Sequence, residues 1–182
     1  MDDFARIRSA IADAARETWT RLRDEHPADH FYYFGLWTTP VAHRPAPTAC
    51  SAQGLRIAVE TARADGLPAS VDQLRWMVNA SPYDLFGDPA FARLEPLFEA
   101  RGDPYDRPRP LNEALLGAME GALFDLDAEG FFGSGTAREA VVVNVTMPAH
   151  ERPEDALASA RRLNPARALT RYAADLSATG RP

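Results

Sequence analysis

Apolar residues recur every three or four positions over several long stretches of the chain, which is the spacing of one face of an α-helix. The first stretch covers residues 2–23 and carries Phe4, Ile7, Ile11 and Trp19 on one face. The same spacing predicts further helices over 53–64, 89–100, 111–126, 153–163 and 169–176. Pro96 lies inside the third of these segments, where it should kink the helix. The pattern therefore predicts five or six helices.

Two other stretches are typical of β-strands. Residues 31–39 are dense in aromatic and β-branched types, and both alternating faces are apolar, which predicts a central strand with both faces covered. Residues 139–147 form a nearly continuous apolar run, centred on Val143, that is also typical of a strand covered on both faces. After a proline-rich loop, residues 48–52 could pair with the first strand as a loose hairpin.

Together these segments predict the α+β class, with a small, mainly antiparallel sheet of three or four strands packed against five or six helices. We expect one globular domain over residues 1–182, since the length suits a single core. The segment Leu74–Asn79 fits a strand and a helix about equally, and we leave it open. Ser70 and Gln73 before it resemble a helix capping box. Residues 101–110 are the most linker-like part of the chain.

Charge and composition exclude several function classes. The 20 cationic residues are all arginine, so the chain lacks the amine of a Schiff-base enzyme and the lysine of a phosphate-binding P-loop. The chain also has 26 acidic residues, and its net charge of -6 repels the phosphate backbone of a nucleic acid. We therefore expect no nucleic-acid partner.

The N-terminus and the cysteine content suggest a compartment. Asp2 and Asp3 stand where a secretory signal would carry positive charge, and no apolar run approaches the length of a membrane span. Cys50 is the single cysteine, so no disulfide can form within the chain. We expect a cytoplasmic protein that does not enter a membrane.

No catalytic or metal-binding pattern stands out. The glycine-rich residues 130–135 follow a helix and precede a strand, the reverse of the order that binds phosphate, and they predict a tight turn. His26 and His30 have the spacing of helical metal ligands, but Pro27 interrupts a helix between them. Cys50 with His43 could form a thiolate and base, although a buried structural cysteine is commoner. We expect no metal, no cofactor and no catalytic residue.

The most informative polar and aromatic cluster is Arg75, Trp76, Tyr83 and Asp84. Tryptophan, tyrosine and arginine are enriched at binding hot spots, so the first hypothesis is a non-catalytic protein-binding module that uses these four residues. A packed tryptophan with a structural arginine–aspartate pair is the alternative reading of the cluster. The second functional hypothesis is an enzyme or small-ligand-binding protein whose pocket joins Arg75 and Asp84 to His30 or His43.

Four stretches in order resemble a bacterial family known as domain of unknown function 4303: residues 31–38 (FYYFGLWT), 74–76 (LRW), 130–135 (GFFGSG) and 162–165 (RLNP). The resemblance spans nearly the whole chain and implies a stand-alone protein of about this length. It implies no activity, cofactor or catalytic residue. Some similar small acidic bacterial proteins are immunity partners of secreted toxins, so by analogy the resemblance implies an immunity or defence role with a toxin as partner.

Overall fold

A computed structural model describes residues 3–67, 70–148 and 152–179. Five helices have eleven or more residues: α1 (Asp3–Glu25), α2 (Ala52–Ala64), α6 (Arg109–Ala128), α8 (Pro153–Leu163) and α9 (Leu169–Thr179). Four helices of one turn or so lie between them: α3 (Val71–Arg75), α4 (Asp88–Ala92), α5 (Glu95–Glu99) and α7 (Gly135–Glu139). The strands are β1 (Phe31–Trp37), β2 (Ala46–Ser51) and β3 (Val142–Thr146).

The three strands form one sheet in the order β2-β1-β3. β1 pairs with β2 in the antiparallel sense and with β3 in the parallel sense, so the sheet is mixed. The predicted α+β class is confirmed, and the number of strands is three. The prediction that β1 is central is confirmed as well, because it has a hydrogen-bonded neighbour on each side.

Local sequence signals explain where the helices begin and end. Ser51 caps α2 by accepting a hydrogen bond from the Gly54 N–H at 2.8 Å. Ser70 and Gln73 form the predicted capping box at the start of α3, which makes the open segment helical up to Arg75, with a 3-10 turn over Val78–Ala80. The helix predicted over 89–100 is instead two short helices, α4 and α5, and Pro96 lies in the first turn of the second.

Helices cover both faces of the sheet. The larger core lies between one face and α1 and α6, where Phe34 and Val143 pack with Trp19, Leu115 and other buried side chains. On the opposite face, α8 and α9 cover a smaller cluster that includes Tyr33, Val142 and Tyr172. A register shift between Phe31 and Tyr33 brings Tyr32 into this smaller cluster, although strict alternation predicts it on the other face.

Both outer strands of the sheet also bind residues from outside the sheet. Along β2, the carbonyl of Ala49 accepts from the Ser81 hydroxyl at 2.6 Å and that of Pro47 from the Leu85 N–H at 3.0 Å. Along β3, the side-chain amide of Asn164 binds both backbone groups of Val143, at 2.8 Å and 2.6 Å. These contacts occupy backbone groups on both outer strands and so limit pairing with a strand of another chain. Within the described ranges, no helix is long and apolar enough to cross a membrane.

Candidate functional site

The structure separates the predicted cluster into two parts, of which Arg75 and Trp76 form the first. The Trp76 indole N–H donates to Asp175 of α9 at 2.8 Å, and its ring packs edge-on against Tyr172 and Tyr32. The Arg75 guanidinium lies 5.5 Å from the centre of the Tyr32 ring, and its Nε is 4.0 Å from a carboxylate oxygen of Asp175. These contacts fasten α3 to α9. They match the alternative reading of a packed tryptophan with an arginine–aspartate pair, but the aspartate is Asp175 and not Asp84.

Tyr83 and Asp84 form the second part, close to β1. The buried Tyr83 hydroxyl donates to Asp29, and its ring lies 5.4 Å from that of Phe31. The Asp84 carboxylate accepts a hydrogen bond from the Trp37 indole at 3.0 Å. Each of the four side chains has a partner within the chain, and a role of these residues in binding stays a prediction.

Burial raises the pKa of Asp84, and the hydrogen bond from Trp37 opposes this effect only in part. A carboxyl group with a raised pKa in the folded state costs stability once it is ionised. The loss of folding stability is therefore fully present at pH values above the pKa of the folded state. It shrinks as the pH falls through that pKa. Ionisation of the half-buried Asp84 carboxyl therefore opposes folding, and the Trp37 indole is its side-chain hydrogen-bond donor.

The histidines and the cysteine lie apart from one another. His30 contacts Gln53, whose amide nitrogen is 2.9 Å from its Nδ1, whereas His43 lies 2.6 Å from the Thr39 hydroxyl. Since Arg75, Asp84 and His30 each bond to a different partner, no described contact joins them into one pocket. Cys50 is buried, and burial raises the pKa of its thiol to about 12, so it is a poor nucleophile.

An apolar groove lies between α2 and the 3-10 turn, with a volume of about 490 Å³. Ile57, Leu67 and Met77 line it and are exposed at 50 %, 59 % and 45 %. Ala58 and Ala62 of α2, Leu74 of α3 and Pro82 after the 3-10 turn also line it. We call this surface the apolar groove. One feature of the sequence indicates the groove: Ile57 is a large apolar residue outside the buried stripe of α2.

A second cavity has a volume of about 560 Å³. Half of its lining residues come from the segment 101–110, which the sequence predicts to be linker-like. Its lining includes Arg107, which is only 7 % exposed, together with His43, Glu99 and Tyr105. Nothing in the local pattern of prolines and charges distinguishes Arg107 from its exposed neighbours. Sequence reasoning therefore missed it.

The other residues that the sequence offered for metal binding or catalysis form no site in the described part of the chain. No three histidine, cysteine or acidic side chains there are placed to hold a metal ion. The predicted turn at 130–135 is present, with Gly130 and Gly133 at positive φ, but the short helix α7 separates it from β3. Ser134 lies at the start of α7, where its side chain makes no capping hydrogen bond.

Comparison with known proteins supports one assignment. No curated protein matches the chain, and no solved structure matches it either. The sequence model of the family described as "Domain of unknown function (DUF4303)" matches residues 11–165, which include the whole sheet and every helix from α2 to α8. The chain therefore belongs to the DUF4303 family.

Proposed function

We propose that this protein is a non-catalytic protein-binding module and that the apolar groove is its contact surface. The observation that carries the proposal is the exposure of Ile57, Leu67 and Met77 around a single groove. Exposed apolar side chains are common when they are scattered, but several around one concave site are typical of a surface that a partner covers.

The chemistry of the groove suits an apolar side chain from a partner. Ile57 and Leu67 offer aliphatic walls, and Met77 offers an unbranched thioether that adapts to the shape of what it contacts. Burying such side chains contributes roughly 25 cal/mol for each Å² of apolar surface removed from water. A buried apolar anchor surrounded by polar residues is the usual arrangement at the centre of an interface.

The predicted residues Arg75 and Trp76 support this surface from behind. Arg171 of α9 forms ion pairs with Asp72 of α3 at 3.3 Å and with Asp175 at 3.4 Å, and Asp175 also binds Trp76. These bonds hold α3 against α9, while Met77, the next residue after Trp76, is left exposed. A rigid platform lowers the entropy that is lost on binding. We therefore assign Arg75 and Trp76 to the support of the groove.

Charge narrows the class of partner. The net charge of -6 favours a basic protein, because complementary charge speeds association and disfavours acidic partners. The family resemblance adds an analogy with small acidic proteins that neutralise secreted toxins. We include in the proposal that the partner is a basic protein, such as a toxin, and that the role is immunity or defence.

The test is capture of binding proteins with the full chain as bait, from cells that express it at its natural level. Ile57→Glu and Met77→Glu place a charge in the groove, and loss of an apolar anchor costs about 2 kcal/mol or more of binding free energy. Phe124→Glu on α6 is the matched control, because Phe124 is 56 % exposed but lies outside the groove. We expect a basic protein to be captured by the wild type and by Phe124→Glu, and lost with both groove variants.

Two outcomes count against the proposal. Equal recovery of every captured protein by all four baits would show that binding does not use the groove. Dimerisation of the pure wild-type chain, reversed by Ile57→Glu but not by Phe124→Glu in sedimentation equilibrium, would mean that a second copy covers the groove instead of a different protein.

A further inference from the structure

The apolar groove has an acidic end, which indicates what a partner carries beside its apolar side chain. Ile57, Thr61 and Asp65 line the groove at intervals of four residues, so they form one row along α2 and its C-terminus. Asp65 is the only charged residue in the described part of the lining, and Ile57 lies at the other end of the row. The groove therefore changes from apolar to acidic along its length.

The charge of Asp65 is not balanced by a neighbour in the described ranges. No cationic side chain there lies within ion-pair distance of its carboxylate, and Arg63 in the same helical turn does not line the groove. Asp65 is also the C-cap residue of α2, where the carbonyl end of the helix dipole carries partial negative charge and favours a cation. This end of the groove is therefore suited to a cationic group from another molecule.

The dimensions of the groove favour an extended segment over a helix. Ile57 and Asp65 are eight positions apart along a helix, which corresponds to a length of about 12 Å. A volume of about 490 Å³ over that length gives a cross-section of about 40 Å². A helix with its side chains is about 10–12 Å across, or roughly 80 Å² or more in cross-section. An extended chain occupies about 5 Å by about 10 Å, which is close to the cross-section of the groove.

Two uncharged polar side chains in the lining favour the same choice. Thr61 and Asn79 are exposed, and neither side chain makes a hydrogen bond to another described residue. An extended segment has backbone N–H and C=O groups that need partners, whereas the interior of a helix satisfies its own. A hydroxyl and a carboxamide can each donate to and accept from such groups.

We propose that the groove binds an extended segment of the partner, in which an apolar residue and an arginine or lysine are four positions apart. The apolar side chain contacts Ile57, and the cation faces Asp65. An extended chain advances about 3.3 Å per residue, so four residues span about 13 Å, and alternate side chains point to the same face. This inference rests on the proposed function, since it takes the groove as the contact surface and a basic protein as the partner.

The experiment is selection of peptides by the full chain from a phage-displayed library of random twelve-residue sequences. Peptides of this length accommodate both extended and helical spacings. We expect the enriched peptides to carry an apolar residue and a cation about four positions apart. Enrichment of a spacing of about seven or eight positions would mean that a helix lies along the groove, and it would overturn the extended segment.

Affinities of the most enriched peptide, measured by fluorescence polarisation, locate the two contacts. Ile57→Glu should weaken binding by about 30-fold or more. Asp65→Asn should weaken it by about two- to fivefold, and this loss should disappear for the same peptide with glutamine in place of its cation. Glu60→Gln is the matched control, because Glu60 is an exposed acid of the same helix outside the lining. Equal effects of Asp65→Asn and Glu60→Gln would contradict a direct contact at Asp65.

Failure of this inference is distinguishable from failure of the proposed function. Peptides that are lost with Ile57→Glu but bind Asp65→Asn as tightly as the wild type would overturn the cation contact and leave the groove as the contact surface. Capture of a protein that depends on Ile57, without any peptide that does, would overturn the extended segment alone. If neither protein nor peptide binding depends on Ile57, both proposals are wrong.

Discussion

Gly35, in the middle of β1, shows how a single missing side chain shapes the sheet. A Cβ at this position would lie 2.5 Å from Cε1 and 2.6 Å from the hydroxyl oxygen of Tyr33, whose side chain occupies that space. Tyr33 is 2 % exposed and packs near Trp76 at 6.3 Å between ring centres. The glycine therefore makes room for the aromatic cluster that supports α3.

We predict that Gly35→Ala lowers the free energy of unfolding by about 1–3 kcal/mol, because the Tyr33 ring is enclosed and has little room to shift. Gly117→Ala is the matched control. Gly117 lies exposed on α6 with nothing within 4 Å of a Cβ, so alanine should stabilise the helix by up to about 1 kcal/mol. Urea denaturation of both variants measures the difference. Equal stability of the two variants would show that the Tyr33 ring is not confined by this contact.

At the scale of elements, Asn164 connects β3 to the end of α8. Its amide nitrogen donates to the carbonyls of Val143 and Ala160, and its oxygen accepts from the Val143 N–H and from Arg138 at 3.1 Å. One short side chain thus pairs with the edge of the sheet as another strand would, and it also ends a helix.

We predict that Asn164→Ala destabilises the protein by about 2–4 kcal/mol, because it leaves buried backbone groups of Val143 without partners. Asn79→Ala removes the same side chain from an exposed position and should change stability by about 0.5 kcal/mol or less. Thermal and urea unfolding with circular dichroism check both. A loss for Asn164→Ala no larger than that for Asn79→Ala would mean that water replaces these bonds at little cost.

Elements whose partners are close in sequence were predictable, and contacts across the chain were not. Periodicity located α1, α2 and α6, and the density of aromatic residues identified β1 as the central strand. The pairing of Trp76 with Asp175, 99 positions later in the chain, has no local signal. The same holds for the burial of Arg107, which depends on how the proline-rich turn folds back onto α5. Sequence therefore singled out Trp76 but grouped it with Tyr83 and Asp84, which bind other partners, and it did not predict the contact with Asp175.

At the scale of the whole molecule, the described helices and loops enclose the sheet. Helices cover both faces of the sheet, and the segment 78–85 and Asn164 cover its edges. The apolar groove differs from the rest of the described surface because three large apolar side chains, Ile57, Leu67 and Met77, stay exposed around one concave site. We propose that this groove is the surface by which the protein acts.

Photo-crosslinking in living cells tests whether a partner contacts the groove. A photoreactive phenylalanine analogue at position 57 reports what contacts the groove, and the same analogue at position 124 reports contacts elsewhere on the exposed surface. We predict one discrete crosslinked protein of basic composition from position 57 and none of comparable yield from position 124. A crosslink pattern that is the same from both positions, or no discrete product from position 57, would contradict it.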